Sequence, residues 1–151
     1  MNFPTALKVV VIQKYMSFFG RARRAEFWWF YLFTMVLART TEKIDWRLYL
    51  ATVVIFMIPT FAVTTRRLHD LDYRGWWQII PYAFLLGGMA VGHFAAVVVG
   101  LVVFVGFLVC LGTPGTKGPN RFGDDPLEGG SDQVEEVKPP APGSDRGDPA
   151  P

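Results

Sequence analysis

The feature that most constrains this chain is a stretch from Trp76 to Gly112 without a single Asp, Glu, Lys or Arg. A second uncharged stretch runs from Leu48 to Thr64. Helices of soluble domains keep a polar face towards water, so uncharged runs of this length are typical of membrane spans. Apolar residues make up 51% of the whole chain, which is close to the average of soluble proteins. The average hides the pattern, because the charged residues are concentrated outside these two stretches. The sequence therefore predicts an all-α integral membrane protein.

The longer stretch is too long for one crossing of the bilayer. As one straight helix, residues 76–111 would reach about 54 Å, against a hydrocarbon core of about 30 Å. We expect two spans instead, at 76–91 and 94–111. The turn between them is expected where glycine concentrates, at Gly87, Gly88 and Gly92, which His93 follows. Leu48–Thr64 gives another span.

The first span, at about 24–41, is the weakest of the four, because its apolar part covers only Phe27–Ala38. It crosses if Arg39 reaches the headgroups and the bilayer thins locally. A re-entrant or tilted element is the alternative.

The basic residues next to the spans predict the orientation. Four spans place ten cations on one side of the membrane and three on the other. The ten are Lys8, Lys14, Arg21, Arg23, Arg24, Arg66, Arg67, Arg74, Lys117 and Arg121; the three are Arg39, Lys43 and Arg47. The side richer in Lys and Arg is the cytoplasmic one. We expect a multi-pass protein of the bacterial plasma membrane (the inner membrane) with both termini in the cytoplasm.

The segments outside the spans complete one membrane domain at 1–126. Residues 4–19 predict a helix lying in the membrane interface, ended by Gly20. Residues 112–126 are dense in Gly and Pro and predict a cytoplasmic turn-rich segment. Residues 127–151 are acidic and rich in Pro and Gly, and we expect them to be disordered.

The first charged motif, Gly20–Trp29, places three arginines at the start of a helix. Cations at this positive end are disfavoured by roughly 0.3–1 kcal/mol each. A nearby anion would offset that cost. Anchoring by lipid phosphates, a defined pocket for an anionic ligand, and pairing with the acidic side chains of Glu26, Asp70 and Asp72 all remain open.

The second charged motif, Arg66–Trp77, predicts a salt-bridge network. Asp70 lies four residues from both Arg66 and Arg74 and three from Arg67, so a helix would let it pair with these arginines. His69 is interpreted as a structural donor in this network. His69 and Asp70 are at most weak catalytic candidates, because a general base needs a substrate group in reach. No metal site and no cofactor are expected.

With these residues in view, the chain is similar to a bacterial family of small inner-membrane proteins, the YhaH type, catalogued as domain of unknown function 805. Three ordered motifs carry the resemblance: Gly20 to Trp28, Arg66 to Trp77, and Gly118 to Pro126. The resemblance implies a helical inner-membrane protein and assigns no activity. It also suggests that Asn120, Arg121 and Asp125 fold back beneath Arg66, Arg67, Asp70 and Glu26.

These observations favour a non-enzymatic membrane protein. Its cytoplasmic charged cluster is expected to bind anionic lipid headgroups or a partner protein through Arg21, Arg24, Glu26, Arg66, Arg67, His69, Asp70, Arg74, Asn120, Arg121 and Asp125. The alternative is a membrane-embedded enzyme or carrier that acts on a phosphate-bearing lipid or small anion. The bilayer is the expected partner, a homo-oligomer or another membrane protein is possible, and no nucleic acid is expected.

Overall fold

A computed structural model describes residues 2–127, and within that range the chain is helical and contains no strand. The elements in order are α1 (Phe3–Leu7), which continues as a π-helix (Lys8–Gln13), α2 (Arg24–Ile44), α3 (Trp46–Asp70), a 3₁₀ turn (Gly75–Gln78), α4 (Ile79–Val91) and α5 (Phe94–Gly112). Disorder is predicted for 127–151, and of these residues 128–151 lie outside the described part of the chain.

Two helices in the described range are long and apolar enough to cross a membrane, α3 and α5. α2 is also long, with 21 residues, but it carries five charged side chains: Arg24, Glu26, Arg39, Glu42 and Lys43. α4 has only 13 residues, because the chain at Gly75–Gln78 forms a 3₁₀ turn before the α-helix begins. The crossing of the bilayer by α2 and α4 therefore remains a prediction.

α2 and α3 form a helical hairpin with a one-residue connection. Asp45 has an extended backbone, and its carboxylate accepts a hydrogen bond of 2.6 Å from the backbone N–H of Arg47. This is an N-cap, which satisfies one of the N–H groups at the start of α3. The cap explains how α3 begins directly after α2 ends.

α4 and α5 form a second, tightly packed hairpin. Gly92 ends α4 with a φ of 71°, in the left-handed region that glycine adopts without steric cost. Of the glycines expected in this turn, Gly87 and Gly88 lie inside α4 instead. A Cβ on Gly88 would lie 2.5 Å from the carbonyl oxygen of Ala96, so the backbones of the two helices nearly touch there. Gly88 therefore permits helix contact.

The N-terminal helix ends earlier than its sequence pattern predicts, at Gln13 rather than at residue 19. Beyond it, the N–H of Ser17 donates to the carbonyl of Lys14, and the Tyr15 hydroxyl donates to the carbonyl of Ile55 in α3. Gly20, with a φ of 83°, bends the loop before α2 and does not end a helix. Helical periodicity could not foresee that tertiary contacts redirect the chain at Lys14.

The buried core lies at one end of the bundle. It is formed by apolar residues of the N-terminal segment, α2, α3 and α5: Val10, Ala22, Phe27, Phe30, Val63, Leu68 and Leu111. Away from this end, large apolar side chains are exposed along α3 and α5, among them Val54, Ile55, Leu101 and Val102. Exposed apolar surface on this scale requires an apolar surrounding. Lipid acyl chains supply one.

Candidate functional site: a buried arginine network and an adjoining cavity

The last part of α3, from Ala62 to Asp70, is buried at every position. Arg66 and Arg67 have no exposed surface, and Asp70 is 4% exposed. Removing a charge from water costs several kcal/mol unless a partner of opposite charge and further hydrogen bonds replace the water. The contacts of these three side chains therefore decide whether this end of the protein is stable.

Asp70 is the centre of the network. Its Oδ1 accepts a hydrogen bond of 2.9 Å from Nε of Arg21, and its Oδ2 accepts one from Nη1 of Arg67. The backbone carbonyl of Asp70 accepts a further hydrogen bond of 2.8 Å from the N–H of Thr116. One residue thus joins the loop before α2, the end of α3 and the segment after α5.

Arg67 closes the end of α5. Its Nε donates to the carbonyl of Leu111 at 2.8 Å, and its Nη2 donates to the carbonyl of Thr113. The last carbonyls of a helix have no partner within the helix, and this guanidinium supplies donors to them. The negative end of α5 also stabilises the positive charge of Arg67.

Arg66 pairs with α2 and does not pair with Asp70. Its Nη1 donates to Oε1 of Glu26, and its backbone carbonyl accepts a 3.0 Å hydrogen bond from the N–H of Ala22. The predicted pair between Arg66 and Asp70 does not form; Glu26 pairs with Arg66, and the two carboxylate oxygens of Asp70 accept from Arg21 and Arg67 instead. Within residues 2–127, Nε and Nη2 of Arg66 have no hydrogen-bond partner.

Arg21 fixes the turn-rich segment after α5. Its Nη1 donates to the carbonyl of Gly118 at 2.6 Å, and its Nη2 donates to the carbonyl of Thr116. Gly115 lies against the same network, since a Cβ there would be 2.1 Å from Oδ2 of Asp70. The side chains expected to attract an external anion are therefore largely occupied by this chain's own carbonyls and carboxylates.

His69 is packed into the same structure. Its ring stacks on Phe122, with centroids 3.9 Å apart and planes 2° from parallel. Nδ1 lies 3.1 Å from the carbonyl oxygen of Gly20, and because a carbonyl only accepts, Nδ1 is the donor. Asn120 donates to the backbone carbonyl of His69 at 2.9 Å. His69 thus contacts the loop before α2 and the segment after α5.

Arg121 and Asp125 lie in the segment after α5 and differ in burial, since Arg121 is about half exposed and Asp125 is buried. Arg121 pairs with Asp72, with Nε 3.0 Å from Oδ1, and both side chains are about half exposed. Asp125 accepts hydrogen bonds from the N–H groups of Leu127 (2.8 Å) and Gly118 (3.0 Å). These hydrogen bonds hold the pKa of the Asp125 carboxyl below its usual value, and the bond from Leu127 has the larger effect.

Arg74 does not join the network. The expected pair with Asp70 fails, because α3 ends at Asp70 and the helical spacing of four is lost beyond it. In the described part of the chain, no carboxylate lies within ion-pair distance of Arg74.

A cavity of about 430 Å³ opens beside the network. Its walls come from the start of α2, the end of α3 and the segment after α5, and include Arg23, Arg24, Arg67, Asp70, Lys117 and Asp125. Among residues 2–127, no carboxylate forms an ion pair with Arg23, Arg24 or Lys117. No side chain caps the start of α2, which faces this space through Arg24 and Ala25.

Sequence reasoning singled out most of the network but missed part of the cavity. Arg24 is among the residues that the sequence assigns to a site. Arg23 enters the sequence argument as one of three arginines at the start of a helix, and Lys117 only as a juxtamembrane cation. Thr116 and Gly115 fall in the predicted turn-rich segment. A tertiary contact alone brings residues 114–118 against Asp70, so no local pattern could have assigned them to a site.

Comparison with known proteins identifies the family. A family model described as "Protein of unknown function (DUF805)" matches residues 15–124. Inner membrane protein YhaH of Escherichia coli strain K12 is 34% identical over 130 residues, covering 77% of this chain and 92% of that protein. Inner membrane protein YhaI of the same strain is 33% identical over 129 residues, covering 79% and 93%. No solved structure matches. Its helices and exposed apolar surfaces agree with these names. This chain belongs to the DUF805 family and is an inner membrane protein.

Proposed function

We propose that this protein crosses the inner membrane four times, keeps both termini in the cytoplasm, and binds the phosphate group of an anionic lipid without catalysing a reaction. One observation carries the binding proposal. Three cations of the cavity, Arg23, Arg24 and Lys117, have no carboxylate partner among the described residues. Arg67 and Asp70 of the network line the same cavity.

The arrangement of the helices supports four spans. α2 would extend about 31 Å at 1.5 Å per residue, which is the thickness of the hydrocarbon core. The start of α2, the end of α3 and the end of α5 meet at the arginine network, as two antiparallel hairpins require. Six of the basic residues, Arg21, Arg23, Arg24, Arg66, Arg67 and Lys117, belong to this network or to the cavity beside it, and the positive-inside rule assigns this end to the cytoplasm.

The chemistry of the cavity suits a phosphate. Arginine donates to phosphate oxygens in a fixed fork, and the free N–H groups at the start of a helix add further donors. Asp70 does not neutralise the free cations, because Arg21 and Arg67 already occupy its two oxygens. The cavity wall holds four cations, Arg23, Arg24, Arg67 and Lys117, against two carboxylates, Asp70 and Asp125, so its net charge is positive.

The position of the cavity favours a lipid over a soluble anion. Trp28 and Trp29 follow Arg24 by one turn of α2, and both are partly exposed, at 38% and 39%. Tryptophan is enriched at the level of the lipid headgroups. A cation one turn towards the cytoplasm from these rings lies at the height of lipid phosphates.

His69 gives the enzyme alternative no support. Its ring face is covered by Phe122, its Nδ1 is engaged by Gly20, and it does not line the cavity. A general base must reach the group from which it takes a proton. We therefore restrict the proposal to binding.

The test is native mass spectrometry of the purified protein with phosphatidylglycerol or phosphatidylcholine. A triple variant, R23Q/R24Q/K117Q, is compared with R39Q/K43Q/R47Q, which removes three charges from the opposite end. At about 1 kcal/mol per cation near an anionic surface, the first variant should lose roughly tenfold or more in phosphatidylglycerol binding. The second variant should bind like the unmodified chain.

Two results would overturn the proposal. Equal retention of phosphatidylglycerol by both variants would show that the cavity is not the site. Equal losses of phosphatidylglycerol binding in both variants would show that binding depends only on the overall charge of the protein. Inorganic phosphate serves as the competitor: if it displaces phosphatidylglycerol at similar concentrations, the ligand is a free anion.

A further inference from the structure

The described chain ends at the wall of the cavity. Asp125, Pro126 and Leu127 all line it. The carboxylate of Asp125 holds this wall in place through the N–H groups of Gly118 and Leu127. Residue 128 therefore leaves the described structure next to the free cations of the proposed site.

The sequence that follows is strongly acidic. Residues 128–137 contain four carboxylates and no cation: Glu128, Asp132, Glu135 and Glu136. Glu136 is nine residues beyond Leu127, and at about 3.3 Å per residue nine residues span at most roughly 30 Å. Chain length does not prevent any of them from reaching Arg23, Arg24 or Lys117.

Carboxylates and phosphates use the same donors. An arginine that binds a phosphate in a forked geometry binds a carboxylate in the same way. A group joined to its site by a short linker has an effective concentration in the millimolar range. A weak interaction between each carboxylate and the cavity is therefore enough to occupy the site for a substantial fraction of the time.

We infer that the acidic segment 128–136 is an internal competitor that occupies the cationic cavity and weakens its binding of anionic lipid. This inference rests on the proposed function and adds its regulation. Any event that draws the segment away, such as a basic partner surface, would raise the affinity of the site.

The test compares three full-length proteins in phosphatidylcholine nanodiscs, titrated with soluble dihexanoyl phosphatidylglycerol. They are the unmodified chain, the variant E128Q/D132N/E135Q/E136Q, and a distal control, D145N/D148N. The proximal variant should bind about three- to tenfold more tightly at low salt, as expected for removing a tethered competitor at millimolar effective concentration. The distal control should bind like the unmodified chain.

Salt gives a second readout. At about 1 M ionic strength the Debye length falls to about 3 Å, and the advantage of the proximal variant should largely disappear. Equal affinity of all three proteins at low salt would overturn the inference and leave the proposed function standing. An absence of binding in every protein, the proximal variant included, would overturn both.

Discussion

At the scale of single residues, the two aspartates at the end of α3 show how burial decides what a charge contributes. Asp70 is 4% exposed and receives hydrogen bonds from two guanidinium groups. Asp72 is two residues away and pairs with Arg121 where both side chains are about half exposed. The sequence presents them as similar members of one charged motif.

We expect Asp70→Asn to destabilise the protein by roughly 3–5 kcal/mol, because it leaves two buried arginines without a counter-charge. Asp72→Asn is the matched control and should cost about 0–1 kcal/mol, the usual contribution of an exposed ion pair. Asn also tolerates the positive φ of 62° at Asp72. Denaturant unfolding in detergent, followed by tryptophan fluorescence, measures both; equal losses would contradict the central role of Asp70.

At the scale of elements, the α4–α5 hairpin depends on small residues at two close approaches. A Cβ at Gly88 would meet the backbone of Ala96, and a Cβ at Gly100 would lie 2.8 Å from the carbonyl oxygen of Phe84. Backbone atoms cannot rotate away as a flexible side chain can. Small residues at such contacts allow membrane helices to pack closely.

Gly88→Ala should therefore push the two helices apart and cost roughly 1–3 kcal/mol, the usual penalty for overpacking. Gly87→Ala is the control in the same helix, because a Cβ there meets nothing within 4 Å. It should leave stability unchanged or raise it slightly through better helix propensity. Thermal unfolding in detergent compares the two variants. Equal melting temperatures would show that the close approach of the two helices does not affect stability.

At the scale of the whole molecule, the two ends of the bundle differ. One end holds the arginine network, the buried core and the cavity. The other end carries the exposed turn at Asp45 and the turn at Gly92 and His93. Four crossings place these two turns together on the outer side, whereas a re-entrant α2 would keep the Asp45 turn inside.

Cysteine labelling distinguishes these topologies. In a Cys110→Ser background, an impermeant maleimide should label Lys43→Cys and His93→Cys in intact cells. Lys117→Cys should react only after the membrane is opened. Labelling of His93→Cys without Lys43→Cys would mean that α2 does not cross.

The sequence by itself determined the class of protein. Uncharged stretches of spanning length leave few folds other than membrane helices, since backbone groups in lipid must be satisfied within the helix. The bounds predicted for the last span, 94–111, nearly coincide with α5 (Phe94–Gly112), because a hydrophobic run ended by Gly and Pro is a local signal. The three charged motifs were also visible without a structure.

Tertiary structure alone decided how those motifs are used. Spacing along a helix suggested that Asp70 pairs with Arg66, Arg67 and Arg74. In the described chain Arg67 does pair with it, Arg66 and Arg74 do not, and the second partner is Arg21. Arg21 lies 49 residues away in the chain, and a contact at that separation leaves no periodic trace in the sequence. Burial could not be predicted either, because the sequence does not show whether a charged side chain lies in a protein core or in water. The physical reason is that helix formation follows local residue patterns, whereas pairing and burial depend on which segments meet.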